Sequence, residues 1–172
     1  MANMMRARGY TNIETVTTGS RRVLSALDGD EVVHAIFITH KTGIVDITAM
    51  LTTTDPAVGH LVIISDTISP QGLKVLYAST AFYVEVLSPL EVAQNKHDHY
   101  LVPLYYRLTD VEVVEVESRY GSRSNFPVMI YRSDAMARYF DFRPGDVLRI
   151  TRQGRGVPPS YRIVMEEGQV ER

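Results

Sequence analysis

The chain has 172 residues, of which 45% are hydrophobic and 22% are charged, and its formal net charge is -2, so it can bury the core of one domain or of two small ones. It contains no cysteine, which excludes disulfides, cysteine-bound zinc and thiol nucleophiles. No apolar run is long enough to cross a bilayer and the first residues lack the apolar region of a secretory signal, so we expect a soluble intracellular protein.

Charge is divided unevenly along the chain. Residues 119–162 contain nine arginines and three aspartates, a net charge of +6, whereas residues 81–118 contain two basic and seven acidic residues, a net charge of -5. The two charges either lie on separate faces or pair with each other across the folded surface, and the sequence leaves both alternatives open.

The first third of the chain predicts one helix and one hairpin. The first twenty residues show no sustained period. Residues 20–27, SRRVLSAL, predict a helix capped by Ser20. Residues 32–39 and 43–50 then predict two strands joined by a tight turn, because both are rich in β-branched residues and are separated by Lys-Thr-Gly.

A strand, a helix and a second strand follow. The segment HLVIISD is almost wholly apolar, which predicts a strand buried on both faces. Ser69 is a suitable N-cap and Pro70 fits the first helical position, so a helix should run to about Ser79. Residues 81–88 alternate as a strand does. This order favours a sheet with a helix on one face.

Residues 89–98 break this pattern and predict a boundary between two modules. Beyond them YLVPLYYRL reads as an extended segment, and Pro103 limits it to the edge of a sheet. The next segment alternates valine with glutamate, but Thr109 and Glu112 form a capping box and Gly121 supplies a stop, so we predict a helix.

The rest of the chain predicts strands around one more helix. NFPVMIYR reads as a short strand. Ser133 or Asp134 can cap a helix that ends near Phe142, before Pro-Gly. Residues 146–152 and 160–165 should pair as a hairpin. The second module is therefore predicted to be a small α+β unit with about four short strands and two short helices.

Two groups of residues are candidates for chemistry. His97-Asp98-His99 would place two histidines on one face of a strand, but a metal site needs more ligands, and a polar boundary loop explains the pair as well. Asp46 on one predicted strand and Asp66 at the end of another suggest a metal-dependent nuclease. Such enzymes generally need a second acid and a lysine two residues apart, and the chain has no Glu-x-Lys or Asp-x-Lys. We therefore predict no catalytic residue, no metal and no cofactor.

The second module resembles a known family. The blocks HYLVP, LTDVEVVEVESRYG, FPVMIYRSDAMARYFDFRPGDVLRI and SYRIV are similar, in order and spacing, to those of RNA polymerase subunit 5 and its shorter archaeal counterpart. The matching residues are His99, Leu101, Val102, Pro103, Thr109, Arg119, Tyr120, Pro127, Asp134, Ala137, Arg138, Tyr139, Gly145, Val147, Tyr161 and Arg162. The family usually has arginine where this chain has Val128, so a basic contact expected there is absent.

The resemblance continues more faintly into the first module, through HLVIISDTISPQGLKVL. Eukaryotic members carry a larger endonuclease-like α/β jaw there, and archaeal members lack it. The resemblance therefore implies an α+β protein of two small modules: a shortened jaw at residues 1–90, a linker at 91–98, a C-terminal module at 99–166 and a tail at 167–172. A shortened jaw suggests a large DNA virus as the source.

The function implied is that of a non-catalytic structural subunit of a multisubunit DNA-directed RNA polymerase. Its partners would be the largest subunit, other polymerase subunits and downstream duplex DNA, with no membrane. It would lie in the nucleus if cellular, or in the virion and at the cytoplasmic or nuclear replication site if viral. The alternative is a stand-alone nucleic-acid-binding or nuclease-like module.

The resemblance also implies which residues meet each partner. The turn before the first-module helix should face DNA, through Ser69, Pro70, Gln71 and Lys74. The expected subunit-interface residues are His99, Pro103, Arg119, Tyr120, Asp134, Arg138, Tyr139, Arg143, Gly145, Tyr161 and Arg162. For Pro70 and Arg138, purely structural roles stay open: starting a helix, and pairing with Asp134 four residues earlier.

Overall fold

The chain folds into two units, each built around its own sheet. The computed structural model describes residues 1–18, 21–152, 154 and 156–167. The first unit is Met1–Gln94 and the second is Asn95–Arg172. Within the described ranges, no helix is long and apolar enough to cross a membrane. The tail predicted at 167–172 lies outside the described residues from position 168 onward.

The first unit contains a five-stranded mixed sheet in the order β1-β2-β3-β4-β5. The strands are β1 (Thr11–Thr18), β2 (Arg21–Asp28), β3 (Glu31–Phe37), β4 (Val58–Ile64) and β5 (Tyr83–Leu87). The helices are α1 (Ala2–Ala7), α2 (Ile44–Thr53), α3 (Pro70–Tyr77) and α4 (Pro89–Ala93). The first three strands pair antiparallel, and β3, β4 and β5 pair parallel. Helices α2 and α3 are the crossovers that the parallel pairs require.

Strand β4 occupies the interior of this sheet, as its apolar sequence predicts. Leu61 and Ile63 on one face pack in a core that includes Ile47 of α2 and Leu76 of α3. Val62 and Ile64, on the other face, are equally buried. The strand–helix–strand order predicted for residues 60–88 is confirmed, including Ser69 as the N-cap of α3 and Pro70 as its first residue.

The helix predicted at residues 20–27 is wrong. Residues 21–28 form β2, which pairs with β1 on one side and β3 on the other. Hydrogen bonds from two neighbouring strands outweigh the modest helix propensity of the segment. The predicted cap, Ser20, lies outside the described residues.

The hairpin predicted from 32–39 and 43–50 is also wrong, because only its first half is a strand. Residues 44–53 form α2, which buries Ile47 and Met50 and leaves Ile44 and Val45 exposed. The Asp46 carboxylate accepts a hydrogen bond from the Gly43 N–H at 3.2 Å and so caps the helix. Asp46 therefore lies on a helix, and the pair of strand acids that suggested a nuclease is not formed.

The second unit contains a four-stranded sheet in the order β6-β8-β9-β7. Its strands are β6 (Leu104–Arg107), β7 (Val128–Ile130), β8 (Val147–Thr151) and β9 (Ser160–Met165), and its α-helices are α5 (Asp110–Tyr120) and α6 (Ala135–Phe140). The predicted strands, both helices and the antiparallel β8–β9 hairpin are confirmed. Pro103 immediately precedes β6, which is an edge strand as expected.

The two helices of this unit cover opposite faces of its sheet. Val113 and Val116 of α5 pack with Val147 and Ile163, whereas Ala137 of α6 packs with Leu148, Ile150 and Val164. Neighbouring residues of a strand point to opposite faces, so Val147 and Leu148 serve different cores.

Candidate subunit-docking and DNA-facing surfaces

Three of the predicted interface residues come together at the end of α5. Arg119 and Tyr120 end this helix, and the Tyr120 ring lies 5.3 Å from the Tyr161 ring of β9. With Glu112, Glu115 and Arg149 they line a surface groove of about 150 Å³, which we call the α5 groove. Tyr120 is 60% exposed although it is aromatic, so it offers apolar area to a partner.

The strand pairing extends this surface with a row of alternating aromatic and basic side chains. Arg149 of β8 is registered opposite Tyr106 of β6 and Tyr161 of β9. Its guanidinium carbon lies 5.2 Å from the centre of the Tyr106 ring, a cation–π distance. The sequence prediction did not include Tyr106 or Arg149. Strand alternation from Tyr161 and the predicted hairpin register would have placed Arg149 beside Tyr161.

Charges around the α5 groove are held by local contacts. Glu115 pairs with Arg119 one turn further along the helix, and Glu117 pairs with Arg123 at 3.0 Å. The Thr109 backbone N–H and hydroxyl donate to Glu112, and these hydrogen bonds lower the pKa of its carboxyl. Acidic residues before position 119 therefore pair in part with basic residues after it, as the second of the two alternatives expects, but these pairs are local in sequence.

Three other predicted interface residues make contacts that support the fold. One Asp134 carboxylate oxygen accepts from the backbone N–H groups of Met136 and Ala137, at 2.8 and 3.1 Å, and so caps α6. Tyr139 is buried and donates its hydroxyl to Asn95 at 2.5 Å. Gly145 has φ of +97°, a conformation that favours glycine. Asp134, Tyr139 and Gly145 therefore each have a role in stabilising the fold, whether or not they also contact a partner.

Arg138 and Arg143 hold the ends of α6. Arg138 donates to the Arg132 carbonyl at 3.3 Å. Arg143 donates from its side chain to Asp141 at 3.2 Å and from its backbone N–H to Asp146 at 2.7 Å. Asp141 is the C-cap of α6 and adopts the left-handed backbone conformation, with φ of +53°. The charges of this segment therefore have local partners as well as partial exposure.

His99, Pro103 and Arg162 lie at other positions of the unit. The His99 ring accepts from the Leu101 N–H at 3.3 Å and stacks on Tyr100, in a segment that exposes Tyr100 and Leu101. Arg162 is half-buried on β9, opposite Leu148.

The strand predicted to carry both His97 and His99 is absent: His97 lies in a 3-10 helix, Lys96–Asp98, and its ring packs against Phe140 at 5.6 Å. No three His, Asp or Glu side chains among the described residues are placed to hold a metal.

The predicted DNA-facing residues lie at the carboxyl end of the parallel strands. Pro70, Gln71 and Lys74 are exposed at the start of α3, and Ser69 caps the helix by accepting from the Gly72 N–H at 3.1 Å. The preceding loop is tied to the loop after β3, because the Thr67 hydroxyl donates to the His40 carbonyl at 2.7 Å. The loop that leads into these residues is therefore held at the edge of the sheet by a hydrogen bond to a neighbouring loop.

The first unit also contains a buried cluster of charged and polar side chains that was not predicted from the sequence. Arg8 forms two hydrogen bonds to Glu85 of β5, at 2.7 and 2.8 Å, and its side chain is fully buried. His60 Nε2 lies 3.6 Å from the same carboxylate, beyond hydrogen-bond length, and His60 Nδ1 lies 3.4 Å from the Tyr10 hydroxyl. Burial raises the pKa of Glu85, but the charge and hydrogen bonds of Arg8, with His60, lower it to about 2.

The α5 groove and the hydrogen-bonded loops before α3 are suited to binding other macromolecules. Comparison with known proteins points to the same class of protein, a subunit of a larger assembly. Residues 94–164 match the family model described as RNA polymerase Rpb5, C-terminal domain. The Rpo5 subunit of DNA-directed RNA polymerase from Saccharolobus shibatae is 36% identical over 69 residues, which cover 39% of this chain and 82% of that subunit. The Rpo5 subunit of Saccharolobus islandicus matches to the same extent.

A viral relative matches over a longer stretch of sequence. Protein 454R of Invertebrate iridescent virus 6, which its name provisionally assigns as a DNA-directed RNA polymerase subunit, is 31% identical over 112 residues. The match covers 59% of this chain and 59% of the viral protein. The chain therefore belongs to the Rpb5 family of RNA polymerase subunits, as its C-terminal blocks predict.

Proposed function

We propose that this chain is a non-catalytic structural subunit of a multisubunit DNA-directed RNA polymerase, in which other subunits supply catalysis and the metal. The observation that carries the proposal is the match of residues 94–164 to the Rpb5 C-terminal domain, together with archaeal relatives that are 36% identical and named as polymerase subunits. Its location would follow that of its polymerase. The match to the Rpb5 C-terminal domain does not favour a stand-alone nuclease.

The second unit is proposed to dock on the largest polymerase subunit through the α5 groove. Tyr120, Tyr161, Arg119 and Arg149 line it, and tyrosine and arginine are the residue types that most often dominate protein interfaces. Five other predicted interface residues would contribute indirectly, by fixing α6 and the turn before β8: Asp134, Arg138, Tyr139, Arg143 and Gly145. His99, Pro103 and Arg162 would lie outside the groove.

The docking role can be tested by truncating the two exposed groove residues in the full chain. Replacing Arg119 and Tyr120 by serine should leave the fold intact, because both side chains are mostly exposed. We expect at least a tenfold loss of the largest subunit from the purified complex, measured against the same changes at Arg6 and Tyr77 of the first unit. Retention of the largest subunit by the groove variant would show that docking uses another face.

The first unit is proposed to act as a shortened jaw beside downstream DNA. The start of α3 supports this, because Pro70, Gln71 and Lys74 are exposed there and backbone N–H groups at a helix start favour a phosphate. Ser69 would act through the helix cap rather than by contact.

A photoreactive residue at Gln71, placed in polymerase engaged on a DNA template, tests this contact. It should cross-link to the downstream duplex, whereas the same residue at Leu90 of α4, which is also exposed, should not. If Leu90 cross-links and Gln71 does not, the start of α3 is not the surface of the first unit that meets the DNA.

A further inference from the structure

Helix α5 has an outward face that does not pack against the fold and that meets the α5 groove only at Glu115. Val111 and Val114 are 80% and 64% exposed, and they alternate along the helix with Val113 and Val116, which are buried in the core. At 100° per residue, Val111, Val114, Glu115 and Ser118 lie on the side away from the sheet. We call these four residues the outer face of α5.

Local stability does not explain two valines at these positions. Valine is a poorer helix former than alanine, lysine or glutamate, because its branched side chain loses rotamer freedom in a helix. An exposed valine also gains nothing from burial in the isolated chain. A surface helix selected for its own stability alone would therefore carry other residues there.

The charge of the helix restricts what can cover this face. Helix α5 contains four acidic residues, Asp110, Glu112, Glu115 and Glu117, and only Arg119 is basic, so its net charge is -3. Glu115 itself lies on the outer face and is 60% exposed. Acidic side chains repel the phosphates of a nucleic acid and attract lysine and arginine.

We propose that the outer face of α5 is a second docking surface, which binds a basic segment of a partner protein whose apolar side chains cover Val111 and Val114. The partner's lysines or arginines lie beside Asp110, and Glu115, which pairs with Arg119, borders their position. This surface goes beyond the proposed polymerase role, because the chemistry of its occupant does not depend on which complex contains the chain.

The first experiment separates docking from folding. Replacing Val111 and Val114 by lysine in the full chain should leave the melting temperature unchanged or higher, because lysine is the better helix former, and should abolish the partner contact. A fall in melting temperature of more than about 5 °C, the shift that roughly 1 kcal/mol produces in a small domain, would show that the valines support the fold and would overturn the proposal. The matched control is Val45→Lys, which changes a valine of the same 80% exposure on α2.

The second experiment identifies the occupant. A photoreactive residue replaces Val114 in the full chain, expressed in its native cell, and the cross-linked peptides are sequenced. We expect a peptide rich in lysine and arginine from another protein, with a yield that falls at least fivefold when Asp110→Lys is added, a change at an exposed acid outside the α5 groove. Glu14→Lys, which reverses an exposed acid on β1, should leave the yield unchanged.

Each outcome decides the inference separately from the polymerase proposal. A basic peptide from a polymerase subunit supports both, and a basic peptide from an unrelated protein supports the docking surface alone. Cross-links to nucleic acid, to a second copy of this chain or to an acidic segment overturn the inference. So does a yield no higher than that from the same residue placed at Val45, even if polymerase subunits still co-purify.

Discussion

At the residue scale, Arg8 and Glu85 of the first unit are a buried pair of opposite charges, and each depends on the other. Two hydrogen bonds join them across 77 positions of sequence, so they fix the segment after α1 to strand β5. A buried ion pair is not strongly stabilising in itself, but removing one partner leaves the other charge desolvated.

Replacing Glu85 by glutamine should therefore lower the free energy of unfolding by about 3 kcal/mol. The double variant Arg8→Met, Glu85→Leu should recover most of this loss, because neither buried charge remains. Urea denaturation of the two variants and the parent measures both effects, with Glu14→Gln as the exposed control. If Glu85→Gln unfolds within about 0.5 kcal/mol of the parent, as surface changes do, the pair has no such role.

The same carboxyl should make stability depend on pH in the acid range. Its pKa is about 2 in the folded protein and 4.5 when unperturbed, so the unfolded chain takes up the proton first as the pH falls. The contribution of Glu85 is complete above pH 4.5 and is lost between pH 4.5 and about 2.

The stability difference between the parent and Glu85→Gln should therefore be constant from pH 7 to 5 and should shrink towards pH 3. Thermal unfolding of both proteins across this range measures it. A difference that grows on acidification would contradict the depressed pKa.

At the level of elements, capping residues decide where the helices of the second unit begin. Asp134 accepts hydrogen bonds from two N–H groups of α6, and Thr109 with Glu112 forms a reciprocal capping box on α5. Both helices are predictable from sequence because these caps involve residues three or fewer positions apart.

Asp134→Ala should destabilise the second unit by about 1 kcal/mol, whereas Asp134→Asn, which keeps an acceptor oxygen, should cost only a fraction of that. Chemical denaturation followed by a probe in the second unit distinguishes the two variants. Equal losses for alanine and asparagine would mean that the negative charge matters and the cap does not.

The elements that the sequence mispredicts are those whose state depends on distant partners. Residues 21–28 form a strand because β1 and β3 flank them, and residues 44–53 form a helix because Ile47 and Met50 meet the sheet. Neither partner is visible in a local window. The Arg8–Glu85 pair escaped for the same reason, since nothing near Arg8 in sequence indicates a buried carboxylate 77 residues away.

The α5 groove was predicted only in part. The family pattern supplied Arg119, Tyr120 and Tyr161, but Tyr106 and Arg149 join them through the cross-strand register of β6, β8 and β9. The outer face of α5 could not be recognised from the sequence, because the alternation of valine and glutamate in this segment fits a strand as well as a helix. Once the segment is known to be a helix, residues 111 and 114 fall outside its core.

For the whole molecule, the net charge of -2 argues that DNA contact depends on assembly. At physiological salt we expect the isolated chain to bind duplex DNA no more tightly than about 10⁻⁴ M, the weak end of non-specific binding. Fluorescence anisotropy with a labelled duplex, at several salt concentrations, measures this. Micromolar affinity with a steep salt dependence would favour a stand-alone nucleic-acid-binding protein.

The central claim is that the chain is a subunit of an RNA polymerase, and one purification tests it most directly. The tagged full chain is isolated from its native source at moderate salt, and the proteins that accompany it are identified by mass spectrometry. We predict that the two largest polymerase subunits are recovered in amounts comparable to the chain itself. Recovery of the chain without any large polymerase subunit would contradict the account.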